Sequence, residues 1–275
     1  MWKNRTVAEI TIIIPTRNEA EKIAECVASA NRLGPVVVLD SKSTDGTDKI
    51  ARSLGAKVVQ FEWNGTYPKK RNWFLINNQS QLDWVLFLDA DEILTDAAIE
   101  EIIEKINDTS KVGFYLKYRI EFEGKYLRYG VKQRKLALFR ASAGLYEKIE
   151  DKKWSRFDME VHEHPVLNGE LGKIKCDLLH NEYKGRRVFF EKHLEYAKWE
   201  AQRYQKITKN NSKDLNFRQK IKYRFLDKWW FSHAYLVVGS LFLGGFLDGT
   251  TGLKYLSMKK WYFKTIYLLI QGDKN

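Results

Sequence analysis

Four short apolar runs, separated by segments of helical periodicity, constrain the first 110 residues more than any other feature of the chain. Glu9–Ile14, Val36–Leu39, Lys57–Phe61 and Trp84–Leu88 read as strands. Between and after them, Glu19–Arg32 carries Ile23, Val27 and Ala30 on one face, Asp45–Leu54 opens as a helix, and Lys69–Asn77 reads as another. Thr95–Ile106 is amphipathic, with Thr95 placed to cap it. Strands this apolar, alternating with helices, predict a largely parallel sheet covered on both faces. Gly113–Glu121, Leu136–Phe139 and Gly172–Leu178 are β-rich, with Gly124 and Gly169 at turns. They predict mixed, partly antiparallel strands completing the same sheet.

From Arg186 the chain turns helical and basic. Arg186–Gln205 and Phe217–Trp230 read as helices, Asn210–Asp214 as a linker between them, and Phe231–Leu247 as a strongly apolar stretch broken by Gly244-Gly245-Phe246-Leu247-Asp248-Gly249. The net charge is +12, and residues 186–275 hold 18 Lys and Arg against 7 Asp and Glu. Almost all the excess therefore lies in the C-terminal third. The division expected is a catalytic α/β domain over 1–185 and a basic, aromatic helical region over 186–275. The two cysteines, Cys26 and Cys176, stand far apart and outside any CxxC spacing, so neither a disulfide framework nor a zinc site is expected, and a reducing compartment is the natural reading. Met1–Ile14 is too short and too charged for a signal peptide.

In a parallel α/β sheet, ligands collect beyond the carboxyl ends of the strands. Three polar clusters fall there: Pro15-Thr16-Arg17-Asn18-Glu19, Asp40-Ser41-Lys42-Ser43-Thr44-Asp45-Gly46-Thr47, and Asp89-Ala90-Asp91-Glu92. One D-x-D alone is a weak signal, since it also serves as a loop or a helix cap. Clusters after the first, second and fourth strands together are a much stronger signal, and a nucleoside diphosphate sugar fits them. Its phosphates call for a hard divalent cation, Mn²⁺ or Mg²⁺, and such cations prefer carboxylate oxygen. Two aspartates two residues apart can give one carboxylate to the metal and the other to the ribose or base. Asp40 can accept from a nucleobase N–H, and Arg17 can approach a phosphate. Asp45-Gly46 reads as a turn leading into a helix, and Glu92 as a helix-start charge. A dinucleotide GxGxxG and a P-loop GxxxxGK[ST] are both absent from the sequence.

These strings, Ile12 to Glu19, Val38 to Thr47 and Phe87 to Glu92, resemble glycosyltransferase family 2 and its GT-A fold, a Rossmann-like mixed sheet flanked by helices. Lys70-Arg71-Asn72, Leu138-Phe139-Arg140, Val161-His162-Glu163, Leu179-His180 and Gly245–Gly249 extend the resemblance toward the bacterial lipopolysaccharide-core β-glucosyltransferase (WaaE-like) group. Ser41 departs from the pattern, because many family members carry two adjacent acids at positions 40 and 41.

The resemblance implies an inverting single displacement with a carboxylate base. Glu163 is the first candidate, with Glu160 and Asp158 as rivals. His162 is placed to position the base, His180 to approach the metal or diphosphate, and Arg140 to serve the acceptor side. Asp91 is the expected metal ligand and Asp89 the ribose or supporting partner. Pro15, Thr16, Arg17, Asn18, Glu19, Asp40, Ser41, Lys70, Arg71, Asp89, Ala90 and Asp91 form the expected nucleotide site. The implied donor is UDP-glucose or a similar nucleotide sugar, and the implied acceptor a lipid-linked glycan or lipopolysaccharide. His162, His164 and His180 also admit a plain structural reading.

Trp229-Trp230-Phe231, Tyr235, Trp261-Tyr262-Phe263 and Tyr267 accompany the basic residues of the C-terminal third. Ala234–Leu247, an apolar stretch of about 14 residues, is too short to cross a bilayer as a helix. Flanked by aromatics and cations, it reads as a helical, membrane-associating extension on an anionic surface, at the cytoplasmic face of the inner membrane. A buried helical hairpin is the plainer alternative. Nucleic acid is not an expected partner, because no recognition motif appears and the apolar run is out of place on such a surface. Two other function classes remain to be weighed. They are a phosphatase forming an aspartyl-phosphate on Asp89, and a non-enzymatic membrane- or nucleic-acid-binding module.

Overall fold

Ile12, Ile13 and Ile14 lie at the heart of strand β1 (Ile10–Thr16), all three excluded from solvent. β-Branched residues suit an extended chain, and a strand covered on both faces needs apolar residues at every position. The computed structural model describes residues 8–107, 109–149, 158–159, 163–210, 215 and 217–272. They form two compact units: Met1–Ile120 with Gln133–Asn181, and Glu121–Lys132 with Glu182–Asn275.

In the first unit, β1 is followed by α1 (Ile23–Ala30), β2 (Val36–Asp40), α2 (Thr47–Ser53), β3 (Lys57–Gln60), α3 (Lys70–Asn78) and β4 (Trp84–Phe87). Next come β5 (Glu92–Ile93), α4 (Asp96–Asn107) and β6 (Gly113–Phe122), whose last two residues belong to the second unit. The short β7 (Lys125–Tyr126) pairs with that end of β6. β8 (Gln133–Arg140), β9 (Gly144–Tyr146), β10 (Pro165–Leu167) and β11 (Leu171–His180) complete the strands. The main sheet runs β3-β2-β1-β4-β8-β6-β11-β5, and β10-β9 form a separate ribbon. β3, β2, β1 and β4 are parallel; β8 runs antiparallel to both β4 and β6. This is the mixed α/β sheet flanked by helices that the sequence predicts.

Local chemistry accounts for the element ends. Thr95 Oγ1 accepts from Ala98 N–H at 3.2 Å, capping α4 as its position predicts. Gly46 takes φ +90° just before α2, and Asp45 Oδ1 accepts from Thr47 N–H at 3.1 Å. The helix predicted from Glu19 starts only at Ile23. Glu19 and Ala20 give their N–H groups to the side chains of Thr47 and Asp45 instead.

The second unit is helical: α5 (Arg186–Asn210), α6 (Phe217–Phe225), α7 (Phe231–Val237) and α8 (Gly249–Gly272). Ala197, Ala201, Tyr223, Leu226, Ile266 and Ile270 make its core. The helix predicted to reach Trp230 stops at Phe225, and a turn follows, with Lys228 N–H donating to Phe225 O at 3.0 Å. The linker expected at Asn210–Asp214 lies mostly outside the described residues. α7 continues as a π-helical turn over Val238–Phe242, and a short 3₁₀ turn, Gly245–Asp248, leads into α8. Gly244 makes the break at φ +70°. The two helical arms, Phe231–Phe242 and Gly245–Gly272, meet at 75°. Among the described residues no single helix is long and apolar enough to cross a membrane. Asp248 accepts from the N–H groups of Arg128 and Tyr129 at 3.0 and 2.9 Å, which gives the acid of the Gly245–Gly249 string a structural task.

Candidate functional site

The carboxyl ends of β2, β1 and β4 lie side by side, with β1 between its two parallel neighbours. The loops that leave β1 and β2 are laced together. Asn18, at φ +56°, donates its N–H to Ser43 Oγ at 2.8 Å, and its Oδ1 accepts from Thr44 N–H at 2.9 Å. Asp40, at the end of β2, is buried and accepts from Thr16 Oγ1 at 3.2 Å, Ser43 N–H at 3.0 Å, Ser43 Oγ at 2.5 Å and Gln60 Nε2 at 3.0 Å. Burial disfavours its charge, but these hydrogen bonds outweigh burial and hold the carboxyl below its usual range. These four donors fill the acceptor capacity of the Asp40 carboxylate. Pro15 is buried within β1, and Arg17 is exposed.

Four consecutive polar residues, Lys69 to Asn72, are buried at the start of α3. Charges are excluded from water at high cost unless they are paired, and each of these has a partner. Lys69 Nζ donates to Glu163 Oε1 at 2.7 Å, and both side chains are almost fully enclosed. Lys70 Nζ donates to Thr16 O at 2.9 Å and lies 3.4 Å from Asp158 Oδ2. Burial pulls the Lys70 pKa down, and the Asp158 charge offsets part of that fall. Ser41 Oγ also donates to Asp158 Oδ2, at 2.5 Å. Arg71 donates to Asp89 Oδ1 at 2.6 Å, with its guanidinium 5.4 Å from the Tyr146 ring centre. Asn72 exchanges hydrogen bonds with the Tyr146 backbone at 3.0 and 2.8 Å, fixing α3 against β9.

Asp89-Ala90-Asp91-Glu92 leaves β4 and crosses to β5. Asp89 is held from two sides: Arg71 takes Oδ1, and Lys135 Nζ reaches Oδ2 at 2.6 Å. Lys135 also pairs with Glu92, a residue with no solvent exposure. Burial works against ionised Asp89, but Lys135 and Arg71 outweigh it and hold the carboxyl far below its ordinary range. Burial lifts the Glu92 carboxyl, with Lys135 opposing. Burial likewise disfavours the Lys135 ammonium, but Asp89 and Glu92 dominate and raise its pKa well above the ordinary lysine value. Asp91 is placed differently. Its carbonyl accepts from Asn181 N–H at 2.8 Å, and its Oδ1 lies 3.4 Å from His180 Nε2. His180 Nδ1 meets Gln133 Oε1 at 3.1 Å, which turns Nε2 toward Asp91. Burial opposes charge on this imidazole, and Asp91 more than compensates, so its pKa rises.

This donor set fits a divalent cation of a particular kind. A carboxylate and an imidazole braced through its other nitrogen are ordinary ligands. Among the described residues no three His, Cys, Asp or Glu side chains converge on one point. The described residues thus offer two donors, a number that suits Mg²⁺ or Mn²⁺ when diphosphate oxygens and water complete the shell.

The expected residues divide as follows. Thr16, Asp40, Ser41, Lys70, Arg71, Asp89, Asp91 and His180 come together through the contacts above, and Asp158 and Glu163 join them through the α3 lysines. Glu160 and His162 lie outside the described residues. His164 is exposed. Arg140 requires correction. It pairs with Asp83 at 2.5 Å and covers the Trp84 ring, because β8 is antiparallel to β4 and sets Arg140 beside the first residue of β4. That is the end of the strand opposite Asp89, about 17 Å away at 3.3–3.4 Å per residue. Glu92 also differs from the helix-start reading, being a buried acid in β5 paired with Lys135. Sequence reasoning missed Lys135, Lys69 and Gln133. Lys69 is a buried lysine and Lys135 a half-buried one, each beside a motif acid; in sequence the Lys69-Lys70-Arg71 run hints at the first, and nothing local hints at the second.

Comparison with known proteins follows the same lines. The family model described as glycosyl transferase family 2 matches residues 11–164. An uncharacterized glycosyltransferase of Rickettsia felis is 31% identical over 248 residues, covering 87% of this chain and 84% of the relative. The lipopolysaccharide core biosynthesis glycosyltransferase LpsC of Rhizobium meliloti is 30% identical over 173 residues, covering 59% of each chain. Glucosyl-3-phosphoglycerate synthase of Mycobacterium tuberculosis, solved with Mn²⁺, UDP and glucosyl-3-phosphoglycerate, gives a TM-score of 0.33 at 23% identity over 42% of this chain and 44% of that one. That likeness is too slight to carry chemistry across.

Proposed function

The chain belongs to glycosyl transferase family 2, and from that premise we propose that it transfers a hexose from a UDP-activated donor to a lipid-linked or lipopolysaccharide acceptor. The supporting observation is the meeting of Asp91 and His180 beside the clamped Asp89, at the joined ends of β1, β2 and β4. Asp91 and His180 would hold the divalent cation, whose charge would favour departure of the diphosphate. Arg71 and Lys70 supply fixed positive charge on the nucleotide side. Asp89, with both oxygens engaged by cations, shapes the turn that carries Asp91. The aspartyl-phosphate alternative needs an Asp89 oxygen free for attack and has no support in this arrangement.

Transfer is a single displacement with inversion. The acceptor hydroxyl oxygen bonds to the anomeric carbon, the bond from that carbon to the diphosphate oxygen breaks, and the hydroxyl proton passes to a carboxylate. Glu163 is that carboxylate in this reading. Its ion pair with Lys69 holds it oriented until the acceptor enters. Asp158 instead serves the nucleotide side through Lys70 and Ser41.

The membrane part of the proposal rests on the second unit. Leu241, Phe242, Leu243, Phe246 and Leu247 are all exposed around the bend, with Phe242 78% accessible, and Trp229 is 69% accessible. Apolar residues this exposed in one stretch call for a partner surface. Lys220, Arg224 and Lys228 are exposed on the preceding segment. Apolar tip and cations together favour one leaflet of an anionic membrane, entered from the cytoplasmic side as a monotopic attachment.

The test is a donor screen across UDP- and GDP-sugars, measuring nucleotide release with Mn²⁺ or Mg²⁺, with and without lipid extract. UDP-hexose turnover that needs metal and rises with lipid extract supports the reading. Full metal-dependent transfer by Asp91→Ala would remove the site assignment.

A further inference from the structure

Lys135 belongs to the acidic cluster's shell, and the transfer reaction leaves its task open. It enters from β8, an antiparallel strand, and lies among the residues that hold the metal side of the site. Its Nζ contacts Asp89 and Glu92 and stands 5.1 Å from the centre of the Tyr118 ring. The same ring meets His180 at 5.9 Å between centroids. Gln133, two residues before Lys135 on the same strand face, receives His180 Nδ1. Glu92 is the register partner of His180 across β5 and β11. The ammonium is therefore a resident cation next to the place assigned to a second, divalent one.

Counting charge locally, Arg71 and Lys135 face Asp89 and Glu92, two cations against two acids. Asp91 is the remaining acid of the turn, and it has His180 beside it. A divalent ion approaching Asp91 on its own gains little from Asp89 and Glu92, whose charge the two fixed cations already match. A nucleoside diphosphate changes that balance, since its phosphates add negative charge and oxygen ligands at the same place. We propose that Lys135 makes divalent-cation binding at Asp91 and His180 conditional on the presence of a nucleoside diphosphate. This rests on the nucleotide-sugar reading above. Lys135 is thus a positioning and gating residue. It keeps the metal from occupying an empty site and couples metal entry to donor entry. Linkage makes the coupling reciprocal, so Mn²⁺ tightens UDP by the same factor that UDP tightens Mn²⁺.

Mn²⁺ binding to the full chain, followed by electron paramagnetic resonance or calorimetry with Mn²⁺ alone and with Mn²⁺ plus UDP, tests this without any turnover. The wild type takes up Mn²⁺ weakly alone and at least about tenfold more tightly with UDP. Lys135→Met removes one positive charge, so Mn²⁺ alone binds at least about tenfold tighter and the gain from UDP shrinks. Because that variant leaves two acids short of a partner, Lys135→Met combined with Glu92→Gln restores the local balance and guards against a folding defect. It returns the affinity for Mn²⁺ alone to near the wild-type value. Glu92→Gln by itself weakens Mn²⁺ binding below wild type, and Lys135→Arg keeps the conditional behaviour. The affinity order for Mn²⁺ alone is thus Lys135→Met, then wild type with the double variant, then Glu92→Gln. Equal affinities across the folded series, with UDP still enhancing each one, overturn the role of Lys135 alone. A wild type that binds no Mn²⁺ even with UDP overturns the nucleotide-sugar reading and this proposal with it.

Discussion

Glu163 and Asp158 are carboxylates held by neighbouring lysines, yet they stand in different settings. Glu163 is closed in with Lys69, whereas Asp158 also takes the Ser41 hydroxyl beside Asp40. If Glu163 is the base, Glu163→Gln keeps the shape and loses the proton acceptor. The expected result is a fall in kcat of about 10²–10⁴, with UDP affinity in the presence of Mn²⁺ unchanged. Asp158→Asn acts on the other side, weakening UDP binding more than it lowers kcat. A Glu163→Gln enzyme with wild-type kcat transfers the base to another acid. At this scale the sequence was readable wherever a motif was local. Asp89-Ala90-Asp91, Asp40-Ser41 and Pro15–Glu19 each sit on one strand end, so position alone drew attention to them. Lys135 and Lys69 were not readable, because their partners lie 46 and 94 residues away and only the folded register joins them. Arg140 was misplaced for the related reason that an antiparallel strand reverses which of its ends faces the site.

Long, strongly patterned elements follow the sequence, and short ones do not. β1, β2 and β4 are continuous apolar runs and α4 carries an apolar stripe at helical spacing, whereas β5, β7, β9 and β10 have two or three residues each and show no pattern at all. The bend between α7 and α8 is legible as a glycine cluster, but its tightness is not. A Cβ on Gly245 would stand 2.6 Å from Leu256 Cδ1 and 2.7 Å from Gly239 O, and the carbonyl cannot retreat without opening the bend. Gly245→Ala is expected to destabilise the chain by about 1–3 kcal/mol in urea unfolding. Gly272→Ala, with open space around it, is the neutral control. α5 and α8 also share a buried histidine. His193 Nδ1 donates to Phe189 O at 2.9 Å, and Nε2 faces Lys259 Nζ at 3.0 Å, an arrangement that suits only the neutral ring. Burial first, then Lys259, lowers its pKa from 6.5 to about 4. The unfolded ring takes up its proton near 6.5 and the folded ring only near 4. The stabilisation is therefore complete above 6.5 and is lost as pH falls to about 4, a span worth up to about 3 kcal/mol. His193→Phe should flatten the dependence of the unfolding midpoint on pH across that window; parallel slopes in the two proteins would refute the assignment.

At the scale of the whole chain, the sequence shows where the charge lies but not where the units divide, since Glu121–Lys132 belongs with the helices through contacts distant in sequence. Membrane attachment is the prediction that belongs here, because it needs both the basic composition of the C-terminal third and the exposed apolar bend. Each contributes a separable energy. Phe242 and Leu241 are 78% and 64% exposed, and burying such side chains in acyl chains is worth about 1.5–3 kcal/mol each. Each nearby lysine or arginine adds about 1 kcal/mol on an anionic surface, and salt screens it. Sedimentation with phosphatidylglycerol-rich vesicles should retain the chain, and pure phosphatidylcholine should retain much less. Raising the salt to 0.5 M, where the Debye length falls to roughly 4 Å, should weaken binding to the anionic vesicles without abolishing it. Leu241→Asp with Phe242→Asp removes the apolar share, and binding should fall at least about tenfold at either salt. Since both residues lie in the second unit, soluble UDP-sugar hydrolysis should persist in this variant while transfer to a membrane-borne acceptor drops. If the double variant sediments like the wild type, the bend does not enter the bilayer and its exposed face serves another partner. If hydrolysis falls in parallel with binding, the substitutions have disturbed the fold, and charge variants at Lys220, Arg224 and Lys228 then decide the matter through the salt dependence alone.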